Sequence, residues 1–523
     1  MKRFLAILLV AATLASFAAC SQQNGKEAES PAKSASADME TSQAETPQEE
    51  LYEVVMEYPT LGQTPRDLKL VEDKVNERTE KEIGVHVTLF PVSAMELNSQ
   101  TNLMISTGEK LDLACILFEG GIGGYVNKGA FLELDGLVAD YGQDIVRVEG
   151  IAMAGGYFNN KLYAIVNECY MGQQNGFMAR KTIIDKYGIE YDPNHVYNHE
   201  ELGAIFAEIK AGEASQFYCI AGNSGDVFTS MNGIDTLGGS IGSGVLMNYG
   251  RGSTAVVNAF ETPEFANACD YARKWYNAGY YSPDCNTTTD SVIDLLQTGN
   301  YLGAFNNCVP GVVRDWQGLA RVIDGDDGGF LPFYTQAPHT TMQVFQNSMW
   351  AVPITCDNPE KTMQWLNLLY ADEEMTNLLY LGIQGVHWNF AEGSKRVVER
   401  PADYDPADPP YMAVLDVWGD KSVQYVQAPA DESYYTDLKN FNDSITDEHK
   451  SGVLGYCFNT EVCKAQYVAV ADVAAQYQPS LLYGVVDPAS VLPEFLSALK
   501  AAGIDELIKA NQEQLNEWLA EQK

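Results

Sequence analysis

Leu51-Tyr52-Glu53-Val54-Val55-Met56-Glu57-Tyr58 opens the body of this chain as a strand, and the stretch from there to Phe118 decides the fold. A Pro59-Thr60-Leu61-Gly62 turn follows. Thr64-Pro65-Arg66-Asp67 then reads as a helix start, with Thr64 as N-cap, Pro65 in the first turn and Asp67 at the capping-box position. Leu68, Val71, Val75 and Ile83 give that helix a buried face, and Gly84 ends it. Val85, Val87 and Leu89 alternate as a second strand, a helix runs from about Ala94 to Gly108, and Leu111 to Phe118 is a continuously apolar third strand. Strand, helix, strand, helix, strand predicts a parallel sheet covered on both faces. Sheets of this kind bind ligands at the carboxyl ends of their strands, which here are Tyr58-Pro59-Thr60 and Phe118-Glu119-Gly120.

Upstream, Met1-Lys2-Arg3 and the apolar or small run Phe4 to Ala19 make a signal peptide, too short to span a bilayer core of about 30 Å comfortably. It ends Leu14-Ala15-Ser16-Phe17-Ala18-Ala19-Cys20, which is similar to a bacterial lipobox with Cys20 as the residue that receives lipid. Residues 21–50 are rich in Ser, Ala, Gln, Glu and Pro with no aromatic residue, a composition that predicts a disordered tether. Such a coil reaches about 30 Å. The expected location is the outer face of a membrane, held by lipid alone.

The body is strongly acidic. Without Lys2 and Arg3, 31 basic residues face 71 acidic ones, a net charge of −40. That sign argues against nucleic acid and anionic lipid as partners. It does not argue for a cationic ligand, because acidic surfaces also serve solubility. Nine cysteines beyond Cys20 are scattered, without a CxxC pair, and most read as small buried apolar residues that suit an exported protein from an anaerobic habitat. Cys457 and Cys463 form the best disulfide candidate.

Further along, Leu162 to Val166 reads as a strand, and Asn198-His199-Glu200-Glu201 caps a helix running to about Lys210. A Gly- and Ser-rich stretch occupies Gly222 to Gly252, Asp357-Asn358-Pro359-Glu360 starts an amphipathic helix, and the chain ends in a helix carrying Ile504, Leu507, Leu515 and Trp518. Three motifs invite a chemical reading. Gly238-Gly239-Ser240-Ile241-Gly242 matches a GxSxG elbow, but without a clear strand before it. His195 and His199 have zinc-like spacing yet straddle the helix start at Asn198. Asp324 to Gly329 is similar to a calcium loop, but it lacks the fifth-position oxygen and the closing Glu, where Thr335 stands. No metal or cofactor is therefore expected.

The order of motifs resembles the extracellular solute-binding proteins of ABC importers, in the family 1 group and its LipO-like lipoprotein branch. The segments are Tyr58-Pro59-Thr60-Leu61-Gly62, Lys74-Val75-Asn76, Thr107-Gly108-Glu109-Lys110-Leu111-Asp112, Lys128-Gly129-Ala130-Phe131-Leu132, Asn160-Lys161-Leu162-Tyr163-Ala164-Ile165, and Asn358-Pro359-Glu360-Lys361 with Trp365-Leu366-Asn367. From Leu381-Gly382-Ile383-Gln384-Gly385 onward the chain resembles a C-terminal region of undefined function common in that branch. The resemblance implies an α/β, two-lobed periplasmic-binding-protein-like fold of type II with the ligand between lobes. Lobe one is expected at 51–168 plus 330–380 and lobe two at 169–329 plus 381–523. It also implies a monomer that captures a small solute, foremost a sugar or oligosaccharide, and delivers it to ABC permease subunits in the membrane. A surface-anchored esterase-like hydrolase using Ser240, or a binder of peptides or another nutrient, stands as the alternative.

With 29 Tyr and seven Trp, the chain can offer rings to the apolar faces of sugars, though rings also fill cores. Tyr58 and Glu119 lie at first-lobe strand ends, and Tyr125 follows the Gly-rich turn at 120–124. Tyr170 stands beyond the predicted crossover, Asn306 and Asn307 end the strand begun at Tyr301, and Trp350 lies on a strand returning to lobe one, where a core role competes. Trp388 in His387-Trp388-Asn389 is the most attractive stacking ring.

Overall fold

Alternating apolar residues from Tyr52 onward build the first sheet. The computed structural model describes residues 51–60, 63–117, 122–167, 169–222, 226–405, 409–411, 417–428 and 430–522. The signal peptide, Cys20 and tether lie outside them, as does Glu119. Nine strands matter for the site: β1 (Tyr52–Thr60), β2 (Val85–Ser93), β3 (Ala114–Leu117), β4 (Ala164–Val166), β5 (Asn175–Arg180), β6 (Tyr218–Ile220), β7 (Tyr301–Asn307), β8 (Phe330–Tyr334) and β9 (Ser348–Ala351).

β1 and β2 pair in parallel from Tyr52 opposite Val85 to Thr60 opposite Ser93. β3 follows on the other side of β1 through a parallel bridge, Met56 to Leu113, in which Glu57 N donates to Leu113 O at 2.9 Å. The parallel arrangement of the first three strands agrees with the sequence reading. β9 then runs antiparallel between β3 and β4. The second sheet has the order β8-β5-β7-β6, with β5 antiparallel to both neighbours and β7 parallel to β6.

Each sheet has its own core. Trp350, Trp365, Trp418 and Tyr370 fill the first together with Val54, Met56 and Leu113. Phe177, Phe206, Phe265 and Trp275 fill the second, which also takes Phe495, Leu499, Leu507 and Leu515 from the C-terminal helices. The result is a two-lobed α/β architecture. Among the described residues no helix is long and apolar enough to cross a membrane.

Local signals were realised where their partners are local. Asn198 caps the helix His199–Gly212 with a complete capping box, accepting from Glu201 N while Glu201 Oε2 accepts from Asn198 N at 2.8 Å. Asn358 likewise caps Pro359–Ala371. The first helix differs: it spans Leu68–Glu82, and Thr64 is not its cap. Asp67 stands at the cap position without a capping bond because its carboxylate faces His387 Nε2 at 3.2 Å.

Two lobe assignments also differ from the sequence reading. β8, at 330–334, belongs to the second sheet, where Phe330 and Phe333 are buried, so the chain returns to the first lobe only beyond Tyr334. Residues 381–428 do not join the second lobe as a block: Trp418 packs 5.2 Å from Tyr58 and Tyr411 OH donates to Leu379 O at 2.8 Å. Cys457 and Cys463 are free thiols rather than a disulfide.

Candidate functional site

Three chain segments pass between the cores side by side. Gln173 and His339 form an antiparallel bridge, with Gln173 N donating to His339 O at 2.8 Å and His339 N to Gln173 O at 2.9 Å. Thr340 then bridges Lys450 in parallel, and Ser451 N donates to Thr340 O at 2.8 Å. Gly172 sits where a Cβ would come within 2.7 Å of His339 O, so this crossing needs a residue without a side chain.

Against that crossing lies a cavity of about 340 Å³ lined by Gln173, Asn175, Asn232, Ser240, Tyr249, Gln336, His339, Gln343 and Asn347 among others. Gln336 is its organising side chain. Its Nε2 donates to Thr229 O and Asn232 O, both at 2.8 Å, and its Oε1 accepts from Asn175 Nδ2 and Tyr249 OH, both at 3.1 Å. Tyr249 stacks on His339 with ring centroids 4.3 Å apart. Asn248 and Tyr249 hold φ values of +50° and +55°, a left-handed conformation that costs backbone strain and aims the ring inward.

His339 is neutral. Burial drives its pKa down to about 4. The geometry assigns the tautomer: Nδ1 donates to Ala337 O at 3.1 Å, so Nε2 accepts from Gln173 Nε2 at 3.0 Å.

A second cavity, of about 210 Å³, adjoins the first through Gly239 and lies between the lobes. Tyr125, Asn127 and Lys128 line it from the first core, and Phe458, Asn459 and Glu461 from the second. Asn127 Nδ2 donates to Asn459 Oδ1 at 2.9 Å across the gap.

Of the residues expected to meet the ligand, Tyr125 lines this second cavity, its ring stacked 4.7 Å from Phe131. Tyr58 lies two residues before the end of β1, which runs on to Thr60, and its ring turns inward onto Trp418 and is 2% exposed. Trp350 is wholly buried with Nε1 donating to Val417 O at 2.9 Å, and Trp388 is packed on Phe390 and Tyr425 with Nε1 donating to Gly382 O at 2.8 Å. Both rings have their faces and donors used within the protein. Tyr170 accepts from Gly311 N at 2.7 Å and lines a different groove, with Arg314 and Tyr425. Asn306 accepts from Asn307 N at 2.8 Å at the end of β7. The structure does not gather these residues into one site.

What the sequence reading passed over is the amide set. Its only trace is the run Gly172-Gln173-Gln174-Asn175 after the first crossover and Gln336 after β8. Ser240 lines the first cavity but shows no nucleophile geometry. It precedes a single 3-10 turn, Ile241–Ser243, and among the described residues no hydrogen bond joins it to a histidine. His195 is engaged by Glu201 at 2.8 Å and His199 stacks on Tyr271, while Asp324 pairs with Arg180.

Two cores, each with its own sheet, three crossing segments and polar cavities beside the crossing define a two-lobed capture protein. Residues 74–393 match the model of the bacterial extracellular solute-binding protein family, and the chain belongs to that family. Residues 452–520 match a domain of unknown function. A carbohydrate ABC transporter substrate-binding protein of Streptococcus pneumoniae is 24% identical over 471 residues, covering 88% of this chain and 90% of that protein. The solved N-glycan transport solute binding protein NgtS of Streptococcus pneumoniae superposes with a TM-score of 0.76 at 23% identity, covering 90% of this chain and all of that one. In complex with Man1GlcNAc the same protein superposes at 0.68, with 24% identity over 90% of this chain and 99% of that one. These likenesses fix the fold.

Proposed function

We propose that this chain is the substrate-binding component of an ABC importer and captures an oligosaccharide between its lobes. The observation that carries the reading is the amide-lined cavity at the crossing, where Gln173, Asn232 and Gln343 stand with the Tyr249 ring. A primary amide offers a donor and an acceptor together, which matches the dual character of a sugar hydroxyl. The names of the relatives point the same way, to carbohydrate and N-glycan transport.

In this reading lobe one comprises residues 51–167 with 348–428, lobe two 175–334 with 453–522, and the segments between them form the hinge. Tyr125 and the amide set contact the ligand, and contacts from both lobes favour the closed state. The lipobox-like Cys20 anchors the protein outside the membrane, and the tether keeps it within one linker length of the permease.

Isothermal titration against a panel that includes Man5GlcNAc, followed by mass analysis of the recovered sugar, tests the assignment. Saturable binding with unchanged sugar is expected. Turnover abolished by Ser240→Ala would instead establish a hydrolase.

A further inference from the structure

Beyond Ser451 the chain leaves the hinge, enters the second core and then touches the first lobe again at two points. Residues 452–520, the stretch that matches a domain of unknown function, carry this return together with Glu521. Phe495, Leu499, Leu507 and Leu515 are wholly buried in the second core, so the domain moves with lobe two. Its two contacts with lobe one beyond the hinge are polar. Asn127 and Asn459 form a reciprocal amide pair, Asn127 Nδ2 donating to Asn459 Oδ1 at 2.9 Å and Asn459 Nδ2 to Asn127 Oδ1 at 3.4 Å. Asn160 Nδ2 donates to Glu521 Oε2.

The supports of these contacts are stiff. On lobe one, the hairpin of Tyr157–Phe158 and Lys161–Leu162 turns through Asn159 and Asn160, whose φ values of +50° and +60° suit asparagine in a two-residue hairpin turn. The helix Gly123–Asn127 rests on that hairpin. A Cβ at Gly123 would come within 2.6 Å of the Phe158 ring, so both contact points belong to one packed unit. On lobe two, Gln514 of the helix Ile504–Glu521 accepts from Asn459 N at 3.0 Å and donates to Asn459 O at 3.1 Å. One helix therefore presents both Asn459 and Glu521 to that unit.

The bonds themselves are easily exchanged. Asn127, Asn160 and Glu521 are exposed, so water can take the place of either contact. A hydrogen bond of this type shifts an equilibrium only about fivefold. Rigid supports joined by weak, replaceable bonds make a junction that opens and closes without disturbing either core.

We propose that residues 452–520, with Glu521, form a clasp between the lobes and set how much of the protein is closed. This assigns a task to the domain of unknown function that goes beyond the capture of a sugar and holds whichever solute is taken.

Asn160→Asp tests it. The substitution puts a carboxylate against Glu521 at a left-handed turn position that aspartate also tolerates, and the neighbouring Lys161 is engaged by Glu133. Neither Asn160 nor Glu521 lines either cavity. At pH 7 and low salt, small-angle scattering of the sugar-free variant should give a larger radius of gyration than wild type. Adding Glu521→Lys replaces repulsion by an ion pair and should return the radius to the wild-type value, with thermal midpoints equal among the three proteins. Calorimetric affinity for Man5GlcNAc should fall by about threefold or more in the single variant, in proportion to the closed population lost, and recover in the double variant. A radius unmoved by Asn160→Asp, or an increase that Glu521→Lys does not reverse, would overturn the clasp whether or not Man5GlcNAc binds. So would radii that change while the affinity of a bound Man5GlcNAc stays the same. Radii that move as expected while wild type takes up no Man5GlcNAc would support the clasp and count instead against the proposed sugar capture.

Discussion

His339 and Glu57 are two buried titratable groups whose shifts oppose each other. The folded pKa of His339, about 4, lies below its ordinary value of 6.5 because burial disfavours the cation. Stability that depends on the neutral ring is therefore complete above pH 6.5 and is lost as pH falls toward 4, to the extent of about 3 kcal/mol. His339→Asn should flatten that dependence in thermal melts between pH 7 and 4; an unchanged slope would show that the ring is protonated without cost. Glu57 goes the other way. It is fully buried beside Thr101, with Oε1 unpartnered, and burial raises its pKa to about 7 from 4.5. Its penalty is absent below pH 4.5 and grows as pH rises to 7, reaching about 3 kcal/mol. Glu57→Gln should therefore melt higher than wild type at pH 8 and lose that advantage at pH 4.5. Because the two effects offset over the shared window, the wild-type profile alone would hide both.

Among the elements, the Arg180–Asp324 pair ties β5 to the helix Pro310–Asp324, with both side chains 8% exposed. Arg180 also donates to Gly299 O and Tyr301 O, so it serves as a pin for the strand β7 that starts there. Asp324→Ala leaves the guanidinium buried and unpaired, and equilibrium unfolding should lose about 3–5 kcal/mol. Asn198→Ala, by contrast, removes one cap at a cost of about 1 kcal/mol. The contrast also explains what could be read in advance. The capping box at Asn198 depends on residues three positions away and was legible. The start of the first helix was not, because Asp67 answers to His387, 320 residues distant. The sheet that β8 joins is illegible locally for the same reason: only its ladder with β5 decides it.

For the whole molecule, the order of strands and helices was written in local periodicity, whereas the site was not. Its walls come from segments near 173, 232–240 and 336–347, and no pattern within any one of them announces the cavity they make. Large rings do not mark it: Trp350 and Trp388 are packed within the protein, because a buried indole contributes most where all its faces touch protein. If both lobes grip one glycan, saturating Man5GlcNAc at a hundred times its dissociation constant should stabilise the fold by about 2.7 kcal/mol. Small-angle scattering should record a smaller radius of gyration in the same sample; stabilisation without contraction would confine the contacts to one lobe. The nine cysteines of the described body bear on where such a protein can work. Cys115, Cys219, Cys269, Cys285, Cys308 and Cys356 are buried free thiols, and Cys285, Cys356 and Cys457 have thiols pushed up to about 11 by burial, which keeps them protonated and poorly reactive. Maturation outside the cell then calls for no disulfide-forming catalyst, and melting should be the same with and without reductant. The fold is indifferent to oxygen: a receptor built this way holds its shape whether its surroundings are aerated or anoxic.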